Sequence, residues 1–168
     1  NMGNINGQTG KSAFGSMGYP MVDARYARKT VVITDNIMPY PIYPISIPQT
    51  LVDYVVEVKE IGNPEKIGVG ATRKSKDPVE LAIAKYASEV LFASGLIKNG
   101  FSYQAGSGGI SLSVAGYLSE YMEKNNIVGS FASGGITSTM TEMLEKGYFR
   151  TLMDVQTFDA NAVCSLKN

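Results

Sequence analysis

The sequence predicts an α/β fold with a mainly parallel sheet flanked by helices. Three observations lead there. From residue 77 onward, apolar runs of helical and of strand period alternate as helix, strand, helix, strand, helix, strand. Two glycine clusters, 106 to 109 and 133 to 135, follow successive strand candidates, where open parallel sheets place their ligand sites. The apolar fraction of 44% and the 18 glycines are ordinary for a globular chain of this class.

The elements follow in order. Residues 1 to 18 are rich in Gly, Asn and Ser and read as loop and turn. Gly10-Lys11-Ser12 resembles the end of a P-loop, but the first glycine of that motif would fall on Ile5, and no strand precedes it. Met21 to Arg28 reads as a short helix, and Thr30 to Thr34 as a buried β-branched strand. Four prolines between Pro39 and Pro48 exclude helix and central strand; this segment is extended and is expected to pack along the surface rather than serve as a proline-rich ligand. Asp53 to Lys59 is a second strand, and 61 to 76 is the candidate boundary.

Asp77-Pro78 starts a helix as N-cap and first helical residue, with Glu80 three positions on, and Gly95 stops it. Phe101 to Gln104 is a strand, the 106–109 turn follows, and Ile110 begins a helix that ends near Asn125-Asn126. Ile127 to Ala132 is a strand, 133 to 135 a second glycine turn, Ile136 to Lys146 a helix stopped by Gly147. Tyr148 to Val155 holds a last strand, and Asp159 caps a short helix through Leu166.

A strand, a glycine turn and a helix start together can bind an anion, because the first helical N–H groups lack partners and glycine lets the backbone approach. One such turn equally fits a tight connection that uses glycine for shape; two at adjacent strand ends favour a ligand site. The chain has no histidine, which removes Ser-His and Cys-His pairs and His-based metal sites. Lys+Arg 15 against Asp+Glu 15 gives no net charge, so nothing favours nucleic acid or an anionic membrane as partner. The single cysteine, Cys164, cannot form an internal disulfide and fits a reducing compartment such as the cytoplasm. No apolar run has transmembrane length. The opening at Asn1-Met2 reads as a piece from the middle of a longer protein.

Gln104-Ala105-Gly106-Ser107-Gly108-Gly109, Phe131-Ala132-Ser133-Gly134-Gly135-Ile136-Thr137 and Asp154-Val155-Gln156-Thr157-Phe158-Asp159 together resemble the α subunit of citrate lyase. Gly3 to Gly7, Gly15-Ser16-Met17-Gly18-Tyr19, Pro39-Tyr40-Pro41 and Gly68 to Arg73 agree, in order. The resemblance implies a CoA-transferase-like fold in two partial domains: 1–73 as the end of a first domain and 74–168 as the start of a second. It implies exchange of acetyl for citryl on a CoA-type thioester, either acetyl-CoA or the prosthetic group of an acyl carrier protein, with release of acetate. That thioester is a substrate; no covalently bound cofactor and no metal is implied. The partners implied are the β subunit and the acyl carrier γ subunit, within a homo-oligomer.

On this resemblance, the N–H groups of Gly108 and Gly109 stabilise the oxyanion. Gln104, Gly106 and Ser107 line the loop, Gly134, Gly135 and Thr137 form the neighbouring wall, and Ser16 and Gly18 add to the pocket from the first domain. Related CoA-transferases carry a Ser-Glu pair where Ser133-Gly134 stands here; without the glutamate, direct transfer through a mixed anhydride is expected. Ala105 stands where threonine is expected. Glu142 and Glu145 read as solvated helix-face charges, Cys164 as inert, and Asp154 and Asp159 as caps and turn formers ahead of a catalytic role. Two other readings stand beside this one: a non-catalytic CoA or sugar-phosphate binding module, and a transferase for short monocarboxylates.

Overall fold

A computed structural model describes residues 2–10, 13–63 and 73–166. The elements are α1 (Gly18–Tyr26), β1 (Val31–Thr34), a 3-10 turn (Gln49–Leu51), β2 (Tyr54–Glu57), α2 (Pro78–Ala93), β3 (Ser102–Ala105), α3 (Gly109–Asn125), β4 (Gly129–Ile136), α4 (Ser138–Glu145), β5 (Phe149–Thr157) and α5 (Ala160–Ser165). β1 and β2 form a parallel pair, and β3-β4-β5 form a second, wholly parallel sheet. Most of the expected 61–76 boundary and most of Gly68 to Arg73 lie outside the described residues, as do Lys11 and Ser12.

The first part is held by a small core. Met17, Ala24 and Ile47 are buried with Ile5, Met21 and Val52 against them. Ile47, in the proline-rich segment, bridges to Ile5 and is its anchor, while Tyr40 and Tyr43 stay exposed. The expected packing is thus met by full burial at Ile47 alone; Ile45 and the two tyrosines do not pack. β1 and β2 are largely uncovered, with Val31, Ile33, Tyr54 and Val56 exposed.

The second part has the larger core: Leu118 and Met122 of α3, Ala132 and Ile136 of β4, Met140 and Met143 of α4, and Phe149 of β5. α2 packs on α3, where Phe92 stacks on Tyr121 with ring centroids 4.0 Å apart. The Asp77 carboxylate caps α2, accepting from Val79 N–H at 2.7 Å and Glu80 N–H at 3.1 Å. The reciprocal half of a capping box is absent: Asp77 N–H donates to Ser75 Oγ, not to Glu80. The helices stop where the sequence expects, at Gly95, Asn126 and Gly147, all with positive φ.

Three expectations are corrected. The β-branched strand expected to be buried is β1, whose Val31 and Ile33 are exposed because only β2 pairs with it among the described residues. The short first helix begins at Gly18 rather than Met21. The stretch 133–135 is not a turn but part of β4, which runs on to Ile136, so α4 starts only at Ser138. Parallel pairing to β5 continues through these glycines and supplies the backbone partners a turn would have left open. Its register slips by one: Gly134 pairs with Asp154 and Gly135 with Gln156, leaving Val155 without an opposite residue.

Candidate functional site at the sheet's carboxyl edge

Ala105, Gly134 and Asp154 lie in one row across β3, β4 and β5. Every strand in the row runs the same way, so their carboxyl ends open on one edge. The 106–108 turn leaves this edge from β3 and enters α3. Gly108 is the N-cap with φ −73° and ψ 159°, and no side chain caps the helix. The first N–H groups of α3 have no intrahelical acceptor, and their dipoles carry partial positive charge to this point.

Gly108 and Gly109 differ in their surroundings. A β carbon on Gly108 would meet nothing within 4 Å, whereas on Gly109 it would stand 3.1 Å from Arg73 O and 3.2 Å from Ser75 N. The chain from 73 to 75 therefore passes over the first turn of α3, and Ser75 N–H donates to Gly109 O at 3.4 Å. Gln104 and Gly106 are exposed and Ser107 is half-buried beside them.

Gly134 has φ +115°, and a β carbon there would press on Ala105 O at 3.1 Å. Gly135 lies under the Phe158 ring. Thr137 is placed apart from the exposed set: it is 2% exposed, serves as N-cap of α4, and its Oγ1 is buried with no partner among the described residues. Asp159 caps α4 instead, accepting from Ser138 N–H at 2.7 Å, while its other oxygen accepts from Ala162 N–H at 2.9 Å.

Ser16 and Gly18 reach the same edge from the far side of the chain. Ser16 N–H donates to Thr157 Oγ1 at 3.0 Å, and the Thr157 hydroxyl donates to Asp154 Oδ2 at 2.7 Å. Asp154 Oδ1 accepts from Gln156 N–H at 2.9 Å. Gly18 sits directly on the Val155 backbone, with no room for a β carbon. β3 and β5 are two strand spacings apart, roughly 10 Å, so a small carboxylic acid or thioester head could span the row.

Asp159 is a cap, as expected; Asp154 forms no turn but lies within β5, its carboxylate accepting from Gln156 N–H, and Glu142 and Glu145 are exposed on α4. Thr157 and Phe158 were missed. The signals were slight: a threonine at a strand end, and an aromatic residue whose glycine neighbour is 23 positions earlier in the chain. Burial pushes the Tyr103 hydroxyl above the ordinary tyrosine value, one residue before Gln104. Cys164 is exposed on α5. Among the described residues no group of three or more His, Cys, Asp or Glu could hold a metal ion, and no helix is long and apolar enough to cross a membrane. A cavity of about 560 Å³ lies elsewhere, between α1 and β1, lined by Asn6, Phe14, Met17, Asp23 and Val32 among others; none of the candidate site residues lines it.

The family model "Citrate lyase, alpha subunit (CitF)" matches residues 1–168. The citrate lyase α chain of Haemophilus influenzae is 52% identical over 98% of this chain, and that of Escherichia coli 49% identical over the same share. The chain spans about a third of their length, 33% and 32% respectively. A Streptococcus mutans protein described as an α subunit of citrate lyase, solved in complex with citrate, superposes with a TM-score of 0.88 at 52% identity, over 98% of this chain and 32% of that one. The fold extends further: a Pseudomonas malonate decarboxylase matches with a TM-score of 0.57 at 19% identity, over 94% of this chain and 28% of that one. The architecture is α/β with parallel sheets flanked by helices, of the CoA-transferase-like kind. The chain belongs to the citrate lyase α subunit family.

Proposed function

We propose that the full-length protein exchanges citrate for acetate on a CoA-type thioester, acetyl-CoA or an acetylated acyl carrier protein, giving a citryl thioester and free acetate. The observation that carries this is the carboxyl edge itself: an α3 start with no side-chain cap and open space at Gly108, beside the Gly134 end of β4. The complex of the Streptococcus mutans relative with citrate supports a tricarboxylate as the acyl acceptor.

The chemistry needs little from the side chains. A carboxylate of citrate is ionised at neutral pH and attacks the thioester carbonyl directly, forming a mixed anhydride while the thiolate leaves; return of the thiolate to the citryl carbonyl then expels acetate. The protein's task is to hold the reactants and to stabilise the negative charge that builds on oxygen. In this reading the Gly108 and Gly109 N–H groups receive that oxyanion. Gln104, Gly106 and Ser107 line one side, Gly134 and Gly135 the other with Thr137 behind them, and Ser16 and Gly18 close the β5 end. No glutamate stands at Ser133-Gly134, so no glutamyl thioester forms on this segment.

Residues 1–73 then form the end of one CoA-transferase-like domain and 74–168 the start of another; two separate parallel sheets support that division. The partners are a β subunit that cleaves the citryl thioester and an acyl carrier γ subunit, with the α subunit itself a homo-oligomer. The test is an exchange assay on the full-length subunit with labelled acetyl-CoA or acetylated carrier, together with mass spectrometry of the protein. Acetate release that requires citrate, without a covalent CoA adduct, is expected. An adduct would move the chemistry to a glutamate elsewhere. No exchange with any carboxylate would leave a binding module.

A further inference from the structure

We propose that Asp154 and Thr157 are positioning residues that set the Ser16 backbone at the rim of this site. The inference rests on the acyl-exchange reading above and adds to it the device that orients the 15–18 loop.

The argument is one of donors and acceptors. A threonine hydroxyl has one proton. In Thr157 that proton goes to Asp154 Oδ2 at 2.7 Å, so the lone pairs of Oγ1 are left to accept the Ser16 N–H at 3.0 Å. Asp154 is itself fixed by Gln156 N–H on its second oxygen, so both carboxylate oxygens are used. Polarisation runs one way along this chain, from carboxylate to hydroxyl to amide, and a charged acceptor strengthens the bond it takes. Ser16 Oγ stands 3.5 Å from Thr157 Oγ1, at the outer limit of a hydrogen bond, so the Ser16 hydroxyl is not consumed by the link and stays available at the edge. Thr157 is buried, and Gly15 beside Ser16 leaves no space for a β carbon against it, so the loop cannot slide to a substitute partner.

Three variants of the full-length subunit test this. Thr157→Val keeps the shape and removes the hydroxyl; Asp154→Asn replaces one of two acceptor oxygens with a donor; Thr157→Ser keeps the hydroxyl. Two readouts are taken: citrate-dependent transfer kinetics and hydrogen exchange of the 13–18 peptide. Thr157→Val is expected to raise KM for citrate about tenfold, with kcat changed less, and to speed exchange of the Ser16 amide. Asp154→Asn gives a smaller change in the same direction, and Thr157→Ser restores both readouts. Faster exchange with unchanged KM would make the link structural only and overturn the inference while leaving the transfer reading intact. Unchanged exchange would overturn it as well. If the wild-type subunit shows no citrate-dependent transfer, the reading of function fails in that control, and the inference falls with it.

Discussion

The ring of Phe158 lies on the α carbon of Gly135, in the space a β carbon would occupy. The Phe158 N–H donates to Ile136 O at 2.9 Å, which fixes its backbone beside Gly135, so the ring leaves this space only by changing its side-chain rotamer. Gly135→Ala is expected to cost about 1–3 kcal/mol, the usual range for overpacking. Phe158→Ala in the same chain should recover most of that increment. A double-mutant cycle by urea denaturation of the full-length subunit measures the coupling, and additive effects would show that ring and glycine do not interact.

Gly108 offers a substitution that removes a donor and little else. Its φ of −73° suits proline, and a β carbon there would meet nothing within 4 Å. Gly108→Pro should keep the melting temperature and lower transfer about a hundredfold, as loss of one oxyanion donor does. Gly108→Ala retains the N–H and should retain activity. Equal losses in the two variants would point to crowding instead of the missing proton.

A single carboxylate caps two helices. Asp159 accepts from Ser138 N–H of α4 and from Ala162 N–H of α5. Asp159→Ala is expected to destabilise by about 2 kcal/mol, toward the upper end for a cap because two donors are orphaned together. Asp159→Asn, which keeps one acceptor oxygen, should fall between. Melting curves of the three proteins order them.

Tyr103 gives an alkaline signature. Burial holds its hydroxyl protonated in the folded state to higher pH than in the unfolded chain, where it ionises near 10. Its contribution is complete below about pH 10 and is lost as pH rises through the folded-state value, since the unfolded chain releases its proton first. Tyr103→Phe should flatten the fall in urea midpoint above pH 10. Some slope will remain, because burial and the nearby Glu123 raise Tyr148 in the same sense. An unchanged slope would show that Tyr103 ionises freely in the fold.

The sequence carried the helices well because their ends have local chemistry: Asp77 and Asp159 as caps, Gly95, Asn126 and Gly147 as stops. The alternation of period after residue 77 was enough to indicate the parallel sheet. The glycines of 133–135 misled because glycine permits a turn but does not demand one, and strand pairing to β5 decided the outcome at long range. The α3 start was legible for the same local reasons as the caps. The attachment of Ser16 to Thr157 was not, since no periodicity or motif connects residues 141 positions apart.

In a regular strand, residues three apart point to opposite faces, roughly 10 Å from each other along the chain. Asp154 and Thr157 nevertheless meet at 2.7 Å. The unpaired Val155 makes this contact available: one extra residue shifts the alternation of β5 by half a period, so that an odd spacing behaves as an even one. Deleting Val155 would mend the ladder and turn Thr157 away from its carboxylate. The irregularity is thus a parity switch, and the tie between the sheet's end and the loop before α1 depends on it.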